Sequence, residues 1–402
     1  MLRALTPNQK SENNNDVSVV IISIIPFLFG GKGHMYTYHL AVGGAARIIG
    51  WKHLVVCPND PELSLLPFDW YPLLEGVELE SRVIRSSYFS RILAIFYALF
   101  DQATSIVSFL NKNITKAEGV VLLIERFNWM QLLAFTLGIV CYRKKNIEAW
   151  LLFRHSPDTF ITHSGLIYRL CIWILGIKLG KARLRLLTDS ESLNILLKNY
   201  FKLEFTTMPI PHTHSYISKK NTTNDDFIMC WWAGPPRENK GWSLIRLIVC
   251  ANNTSNVNIC LLAARSSCIK NNPSNIRVVE VDDFLSPDAY TDTMSRIDVM
   301  LLPYSKKEYS ASTSGIFVET VAAGKIPLVT DGTWLADELR RYNLAELIIN
   351  WHDQNIWSNI VSICNSKETR EKLLNMQLIY LEFHSQPSFA RKMVQIKFKG
   401  YL

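Results

Sequence analysis

One stretch of the sequence, residues 310–329 (SASTSGIFVETVAAGKIPLV), combines small hydroxyl residues, a glycine and a carboxylate ahead of an apolar run. Ser314 is a residue type favoured at helix N-caps, and Gly315 lets a ligand approach the backbone closely. The pattern predicts a helix from Ile316, and the free N–H groups at its start suit a phosphate. Glu319 lies one turn further on, where its carboxylate can reach back to the ribose hydroxyls. The alternative is a capped helix with a solvated glutamate.

A basic turn follows another predicted strand, FIMCWWAG, in the second half of the chain. Arg237 and Lys240 bracket this turn, and a guanidinium fork beside an ammonium group suits a diphosphate. The turn and the helix start at Ser314 both follow strands of one predicted sheet, so they can face the same cleft. The alternative is a basic loop in which Glu238 is the local partner of the cations.

A glycine-rich turn, GGKGHMY, follows the first predicted strand. Gly31 and Gly33 allow backbone N–H groups to approach an anion, and we expect them to contribute to nucleotide binding. His34 then lies in the first turn of the next helix, at the cleft edge, and is a candidate catalytic residue. The spacing matches neither G-x-G-x-x-G nor a Walker A loop. The alternative is a simple glycine turn with a surface histidine.

Other polar residues end the strands that precede the cleft. The predicted strand EAWLLFRH ends at His155, a candidate acid or base, for which a buried structural histidine is the alternative. Glu125 and Arg126 end the preceding strand, and there we favour a structural role. His212 and His214 have the spacing of a metal pair but no third ligand, so we predict no metal site.

The elements that position these residues form an alternating β-α series along the 402-residue chain. Because the strands are continuous apolar runs, we predict parallel sheets covered by helices on both faces. A polar, proline-containing linker at 209–226 divides the series into two doubly wound Rossmann-like domains, 17–208 and 227–384. Ligands are expected in the cleft between them. Residues 1–16 are expected to be a disordered leader, and a helix in 385–402 to cross back to the N-terminal domain.

Composition and charge restrict the partners. The chain is 48% hydrophobic and 19% charged, as is typical of a globular protein. Its net charge is +8, and residues 1–210 carry 22 basic and 16 acidic residues, so this half is the one expected to meet an anionic partner. We expect no nucleic-acid binding, because no aromatic–basic recognition pattern is present. The eight cysteines contain no C-x-x-C pair, which favours a reducing, cytoplasmic location.

No segment of the sequence is predicted to span a membrane. The uncharged runs 17–31 and 127–142 hold 15 and 16 residues, fewer than the roughly 20 that a span needs. The segment GLIYRLCIWILGIKLGKARLR, from Gly165, mixes apolar with basic residues and could lie on an anionic membrane surface. Such peripheral contact through the N-terminal domain would place the protein at the inner face of the membrane. The alternative is a buried helix followed by a basic strand.

Two of these motifs, GPPRENKG and SGIFVETVAAGKIPLVTDGTW, resemble the donor-nucleotide half of GT-B fold glycosyltransferases, especially glycosyltransferase family 4 (group 1 type). GGKGHMYTY resembles the acceptor-side glycine loop of the same architecture, so the resemblance covers nearly the whole chain. It implies that Arg237 and Lys240 bind the donor diphosphate and stabilise the leaving group. It also implies that backbone groups from Ser314 to Ile316 contact the distal phosphate and that Glu319 binds the ribose.

The sequence departs from the family pattern at one position. The pattern often has two glutamates eight residues apart, but Ala311 stands eight before Glu319, and Glu308 is the nearest acid. The resemblance implies transfer of a hexose-type sugar, with retention, from a nucleotide-diphosphate sugar to an acceptor hydroxyl on a glycan or lipid-linked saccharide. No metal or further cofactor is expected. The alternatives are a catalytically inactive GT-B partner subunit, which Ala311 favours, and a nucleotide-sugar epimerase.

Overall fold

The computed structural model describes residues 19–26, 28, 34–59, 66–75, 88–114, 119–143, 146–155, 164–211, 227–251, 257–269 and 276–398. The predicted leader at 1–16 and most of the predicted linker, with His212 and His214, lie outside the described residues. The glycine turn with Gly31 and Gly33 lies outside them too. His34 is the first residue of a helix, but its side chain is likewise not described.

A seven-stranded parallel sheet lies at the centre of the N-terminal half, counting the strands of the described residues. Its strands are β1 (Val19–Ile24), β2 (Lys52–Asn59), β3 (Trp70–Glu75), β4 (Gly119–Glu125), β5 (Ile147–Phe153), β6 (Leu184–Thr188) and β7 (Thr206–Thr207). They lie in the order β3-β2-β1-β4-β5-β6-β7. In register, Ile22 of β1 lies between Leu54 of β2 and Leu122 of β4. Because β1, β4 and β5 are central, nearly all of their residues are buried.

Helices cover both faces of this sheet. The described N-terminal helices are α1 (His34–Ile48), α2 (Tyr88–Asn113), α3 (Trp129–Cys141), α4 (Ser164–Leu179) and α5 (Glu191–Phe201). Helices α2 to α5 pack on one face, where Phe135 and Tyr168 join a core with Ile22. Helix α1 packs on the other face, where Tyr38 joins a second core with Ile21. This three-layer arrangement confirms the predicted α/β class.

The C-terminal half repeats the plan around a smaller parallel sheet. Its strands are β8 (Phe227–Trp232), β9 (Asn258–Ala264), β10 (Ile276–Val281), β11 (Val299–Leu302) and β12 (Ile326–Val329). Within the described chain they lie in the order β10-β9-β8-β11-β12. The helices are α6 (Trp242–Cys250), α7 (Pro287–Arg296), α8 (Lys306–Tyr309), α9 (Gly315–Ala322), α10 (Trp334–Arg341), α11 (Ile356–Asn365) and α12 (Lys367–Phe383). The strand order reverses between β8 and β11, the point at which such sheets bind ligands.

Two details differ from the sequence-based expectations. The sequence pattern did not predict β3, in which Pro72 interrupts the apolar run; the structure places this strand at the sheet edge, where a proline is tolerated. The run ELIIN reads as a strand in the sequence, but the structure forms a 3₁₀ turn at Ala345–Leu347 and a single bridge between Val329 and Ile348.

The last helix, α13 (Gln386–Lys397), packs against the N-terminal half. Phe389 of α13 lies in the core beneath α1, and Lys397 Nζ lies 2.5 Å from Glu148 Oε1 of β5. Just before α13, the Ile210 N–H donates a hydrogen bond of 3.1 Å to His384 Nδ1. The chain therefore passes between the two halves near residue 210 and again near residue 384, and a hydrogen bond joins the two crossings.

Candidate functional site

The carboxyl ends of the two sheets face each other and form the walls of a cleft. Thr313, which precedes α9, donates a hydrogen bond of 2.5 Å from Oγ1 to Asp189 Oδ2, which follows β6. The neighbouring Ser190 Oγ donates to the Ala311 carbonyl at 3.4 Å. Side chains at the strand ends of one domain therefore meet loops at the strand ends of the other, as expected for a ligand site between two doubly wound sheets.

The loop after β8 presents Arg237 and Lys240 to this cleft. A 3₁₀ turn at Glu238–Lys240 follows Arg237, and the Trp232 Nε1–H donates to the Lys240 carbonyl at 3.0 Å. Gly241 has φ of 77°, and a Cβ there would lie 2.1 Å from the Pro303 carbonyl oxygen. Only glycine fits this position, because it combines a left-handed conformation with close backbone contact. That contact ties the basic loop to the loop after β11.

The start of α9 lies beside the basic loop. Ser314 caps the helix by accepting a hydrogen bond of 3.2 Å from the Phe317 N–H, which confirms the predicted N-cap. Tyr304 forms a hydrogen bond with the same Ser314 side chain, and its ring lies 6.0 Å from Lys240 Nζ. Tyr304 therefore bridges the two motifs, so the structure brings together the helix start and the basic turn.

Glu319 lies on α9, one turn from the helix start, and is 8% exposed. Its Oε2 accepts a hydrogen bond of 2.5 Å from the Tyr290 hydroxyl of α7. The Tyr290 ring in turn packs against Trp231, with 5.2 Å between ring centroids. The carboxylate is thus held by a phenol that the sequence pattern did not single out, because a contact between residues 29 positions apart has no local signal.

Three cations, which we call the cleft cations, meet at this site: Arg126 from the N-terminal half, and Arg237 and Lys240 from the C-terminal half. Burial, with repulsion from Arg237 and Arg126, lowers the pKa of Lys240 to about 8. Desolvation lowers the pKa of Arg126 from its ordinary value, and Arg154 and Arg237 lower it further. Among the described residues, no carboxylate forms an ion pair with a cleft cation. Such a set of mutually repelling cations favours a bound anion.

Arg126 reaches the cleft because of its backbone. It follows β4, has φ of 47°, and donates its N–H to the Leu152 carbonyl at 3.3 Å. A left-handed conformation is uncommon for a residue other than glycine and is often found at functional sites. Its side chain is exposed by surface area, yet it stands in the recess between the domains, where it is partly desolvated. The sequence favours a structural role for Arg126, and in the structure it lies near enough to Arg237 for the two charges to repel each other.

A buried ion network supports the N-terminal wall of the cleft. Arg154 lies between Glu125 and Asp189: its Nη2 is 3.0 Å from Glu125 Oε2 and its Nε is 3.7 Å from Asp189 Oδ2. Glu125 Oε1 also lies 3.4 Å from His39 Nε2. The Arg154 guanidinium stacks over the Tyr38 ring at 4.4 Å. Because buried charges are costly unless paired, this network fixes the position of Asp189, which accepts the hydrogen bond from Thr313.

His155, the candidate acid or base, lies beside the cleft cations. Burial, with repulsion from Arg126 and Arg154, lowers its pKa to about 4. The imidazole is therefore neutral at neutral pH and can accept a proton or a hydrogen bond from a ligand. In the free protein at that pH, almost none of the imidazole carries the second proton.

Position 311, where the family pattern leads us to expect a glutamate, has no carboxylate. Ala311 is buried, and its carbonyl accepts the hydrogen bond from Ser190. Glu308, the nearest acid, is exposed and is hydrogen-bonded to Ser305 at the start of α8. The structure therefore gives Ala311 a role in the contact between domains and gives Glu308 a capping role. Within the described part of the chain, no three His, Cys, Asp or Glu residues are grouped to bind a metal.

No protein-family model matches the sequence, and no curated protein matches it. A glycosyltransferase structure from Rickettsia africae ESF-5 matches with a TM-score of 0.61 and 11% identity, covering 95% of this chain and 98% of that chain. The glycosyltransferase SnogD from Streptomyces nogalater matches with a TM-score of 0.54 and 13% identity, over 94% and 100% of the two chains.

A third structure, a candidate UDP-N-acetylglucosamine 2-epimerase from Listeria monocytogenes, matches with a TM-score of 0.57 and 12% identity, over 96% and 97% of the two chains. At such identities, the likeness of all three structures concerns the fold. The fold is α/β with two Rossmann-like domains, the GT-B architecture seen in the glycosyltransferase structures.

Proposed function

We propose that this protein is a glycosyltransferase that moves a hexose-type sugar from a nucleotide-diphosphate sugar to an acceptor hydroxyl. The observation that carries the proposal is the meeting of Arg126, Arg237 and Lys240 beside the N-terminus of α9. Burial lowers the pKa of Lys240 to about 8, and repulsion from Arg237 and Arg126 contributes to the shift. A diphosphate would relieve this repulsion, and its oxygens suit a guanidinium fork, an ammonium group and helix N–H groups.

The same residues fit the charge that develops during transfer. Breaking the bond between the anomeric carbon and the diphosphate leaves positive charge on the sugar and negative charge on the leaving group. Arg237 and Lys240 would stabilise the leaving group, because fixed charges in a partly desolvated site need little reorganisation. Backbone groups from Ser314 to Ile316 would contact the distal phosphate, and Glu319 would accept hydrogen bonds from the ribose. This chemistry requires no metal ion and no further cofactor.

His155 would contact the reacting sugar or the acceptor from the N-terminal wall. It follows β5, and its neutral imidazole suits a hydrogen bond with a hydroxyl group. His34 stays a second candidate for the same wall, and Gly31 and Gly33 stay candidates for donor contact. Retention of the anomeric configuration rests on the resemblance of the second-half motifs to family 4 enzymes.

We propose that the acceptor is a glycan or a lipid-linked saccharide. The protein would bind it in the cytoplasm, at the inner face of a membrane. Basic residues outnumber acidic ones in the N-terminal half, which forms the acceptor side in this fold, and a lipid-linked acceptor carries anionic phosphate. Peripheral contact through this half would bring such an acceptor to the cleft. Nucleic acid is not proposed as a partner.

Two other functions have a specific observation in their favour. The match with the Listeria structure favours a nucleotide-sugar epimerase, which would convert its nucleotide sugar without an acceptor. The absence of a carboxylate at Ala311 favours an inactive partner subunit, which would bind nucleotide weakly or not at all. Product analysis with and without acceptor separates the transferase from the epimerase.

The deciding experiment is calorimetric titration of UDP, GDP and ADP into the wild type, Glu319→Ala and a double variant with Arg237→Ala and Lys240→Ala. We expect one nucleotide to bind the wild type, and both variants to bind it at least tenfold more weakly. Glu346→Ala, which replaces a glutamate paired with Lys372 and not assigned to the nucleotide, is the matched control and should bind like the wild type. A folded wild type that binds none of the three nucleotides would contradict the proposal and favour the inactive subunit.

A further inference from the structure

The outer face of α4 exposes a stripe of large apolar side chains. Leu166, Leu170, Trp173 and Ile177 are each at least 50% exposed. Their spacing of four, three and four residues places them on one face of the helix, whereas Tyr168, Cys171 and Leu175 of the opposite face lie in the core. We call these four exposed residues the α4 stripe. The sequence pattern left a buried helix as the alternative here, and the structure shows one face buried and the other apolar and exposed.

Helix α2, in the same layer, shows the same feature in its first half. Leu93, Phe96, Tyr97 and Phe100 are between 66% and 70% exposed. Further along, the exposed positions are polar, as at Thr104 and Ser108. One region of α2, Leu93–Asn113, is also long and apolar enough to span a membrane by length and composition. Its other face packs on α3, however, where Leu99 lies in a small core with Met130 and Ala134.

Helix α3 connects the two apolar regions. It lies between α2 and α4: a Cβ at Gly138 of α3 would be 3.2 Å from the Ala103 carbonyl of α2, and Lys178 of α4 donates to the Val140 carbonyl at 2.8 Å. Leu137 and Val140 are themselves partly exposed on its outer face. The three helices thus form one layer whose outer surface is apolar over a wide area, well beyond what scattered surface residues produce.

The charges around this surface are almost all positive. Residues 88–113, 129–143 and 164–185 contain eight basic residues and a single acidic one, Asp101. Exposed members of the basic set are Lys112, Arg143, Arg169, Lys178 and Lys181. Anionic lipid headgroups attract such a basic border, and the apolar side chains can enter the boundary between headgroups and acyl chains. A second copy of the chain fits less well, because a symmetric contact would oppose like charges.

We propose that the outer surface of α2, α3 and α4 docks the protein on a bilayer that contains anionic lipids, with these helices lying in the membrane surface. The proposal rests on the proposed function, because docking would serve to reach a lipid-linked acceptor. Tyr168 of α4 donates a hydrogen bond of 3.1 Å to the carbonyl of Phe127, which adjoins the cleft cation Arg126. This contact on the buried face of α4 ties the helix that carries the stripe to the strand ends that wall the cleft, where a lipid-linked acceptor would be delivered.

The test is flotation of the full-length protein with two kinds of vesicle, pure phosphatidylcholine and phosphatidylcholine mixed with phosphatidylglycerol. We expect the wild type to float with the anionic vesicles and at least tenfold less with the neutral ones. In a variant with Leu170→Ser, Trp173→Ser and Ile177→Ser, the fraction that floats with the anionic vesicles should fall at least tenfold. A variant with Lys178→Glu and Lys181→Glu should show the same loss. The matched control carries Leu374→Ser and Leu378→Ser, which replace exposed leucines of α12, and should float like the wild type.

Three outcomes would overturn the proposal. In the first, the wild type does not float with the anionic vesicles. In the second, the triple serine variant of the α4 stripe floats like the wild type. In the third, light scattering shows that the wild type is a dimer and that the same triple variant is a monomer. Calorimetric nucleotide titration of the same preparations keeps the two proposals apart. Flotation without nucleotide binding would contradict the transferase function and support the docking surface. Nucleotide binding without flotation would support the transferase function and contradict the docking surface.

Discussion

Asp189 and Thr313 form a hydrogen bond of 2.5 Å, although 124 positions separate them and they belong to different domains. Arg154, held by Glu125, supports the aspartate, and Thr313 immediately precedes the capping residue Ser314. The contact therefore couples a buried ion network in the N-terminal half to the helix start that we assign to the donor phosphate. It gives the N-terminal half a direct influence on the donor site.

Thr313→Val should remove this hydrogen bond and keep the shape of the side chain. A hydrogen bond to a charged group contributes about 1.5–3 kcal/mol, so we expect the closed arrangement of the domains to be at least about tenfold less populated. Sugar-transfer turnover should fall by about the same factor. Thr313→Ser keeps the hydroxyl and should behave like the wild type. Wild-type turnover in Thr313→Val would show that the contact does not limit transfer.

Nucleotide affinity should depend on pH through Lys240. Because the pKa of Lys240 in the free protein is lowered to about 8, the ammonium form dominates below that pH and is lost above it. Affinity for a nucleoside diphosphate should therefore be constant from pH 6.5 to 7.5 and then weaken by up to about tenfold per pH unit. Lys240→Arg, which stays charged, should bind equally well at pH 7 and pH 9. A flat profile in the wild type would mean that the Lys240 ammonium does not contact the ligand.

Arg126 should act on the donor from the opposite domain. We expect Arg126→Gln to weaken nucleoside diphosphate binding about tenfold, because it removes one of the cleft cations. The same change should raise the pKa of Lys240, since it removes a repelling charge, and so shift the loss of affinity to higher pH. Arg143→Gln, an exposed arginine at the end of α3, is the control. If Arg126→Gln lowers affinity without moving the pH profile, Arg126 acts through structure alone.

Tyr290 should position the Glu319 carboxylate for the ribose. Tyr290→Phe removes the hydrogen bond to Oε2 and lets the carboxylate rotate, so we expect nucleoside diphosphate affinity to fall about three- to tenfold. Affinity for inorganic pyrophosphate, which has no ribose, should not change. Calorimetry with both ligands measures the difference. Tighter nucleotide binding in Tyr290→Phe would mean that the phenol competes with the ribose.

The neutral imidazole of His155 should make the protein sensitive to acid. Its pKa is about 4 in the folded protein and about 6.5 when unfolded, so the unfolded chain binds more protons between these values. The free energy of unfolding should therefore decrease, by about 1–3 kcal/mol from this residue, as the pH falls from 6.5 to 4. His155→Asn should show a smaller decrease in urea titrations over the same range. An equal decrease in both proteins would place the acid sensitivity elsewhere, as at the partly exposed His53, whose pKa is also lowered by desolvation.

Features set by neighbouring residues could be predicted from the sequence. The Ser314 cap and the alternating apolar runs depend on contacts within a few positions, so their patterns are visible in the chain. The contacts that the sequence did not predict join residues distant in the chain. Arg126 reaches the cleft through a left-handed conformation at the end of β4, and Tyr290 meets Glu319 only after α7 and α9 pack together. No local pattern encodes either arrangement, and the same holds for Asp189 and Thr313.

The hydrogen bond between Ile210 and His384 has a consequence for how the cleft can open. Both passages of the chain between the domains are joined at this one place, and α13 is anchored on the N-terminal half by Phe389 and Lys397. Two crossings joined side by side suit a hinge rotation about this place, whereas sliding of one domain past the other would break the hydrogen bond. Such a rotation would separate Asp189 from Thr313 and Arg126 from Arg237 together. Donor entry, loss of the interdomain hydrogen bond and separation of the cleft cations would then occur in a single movement.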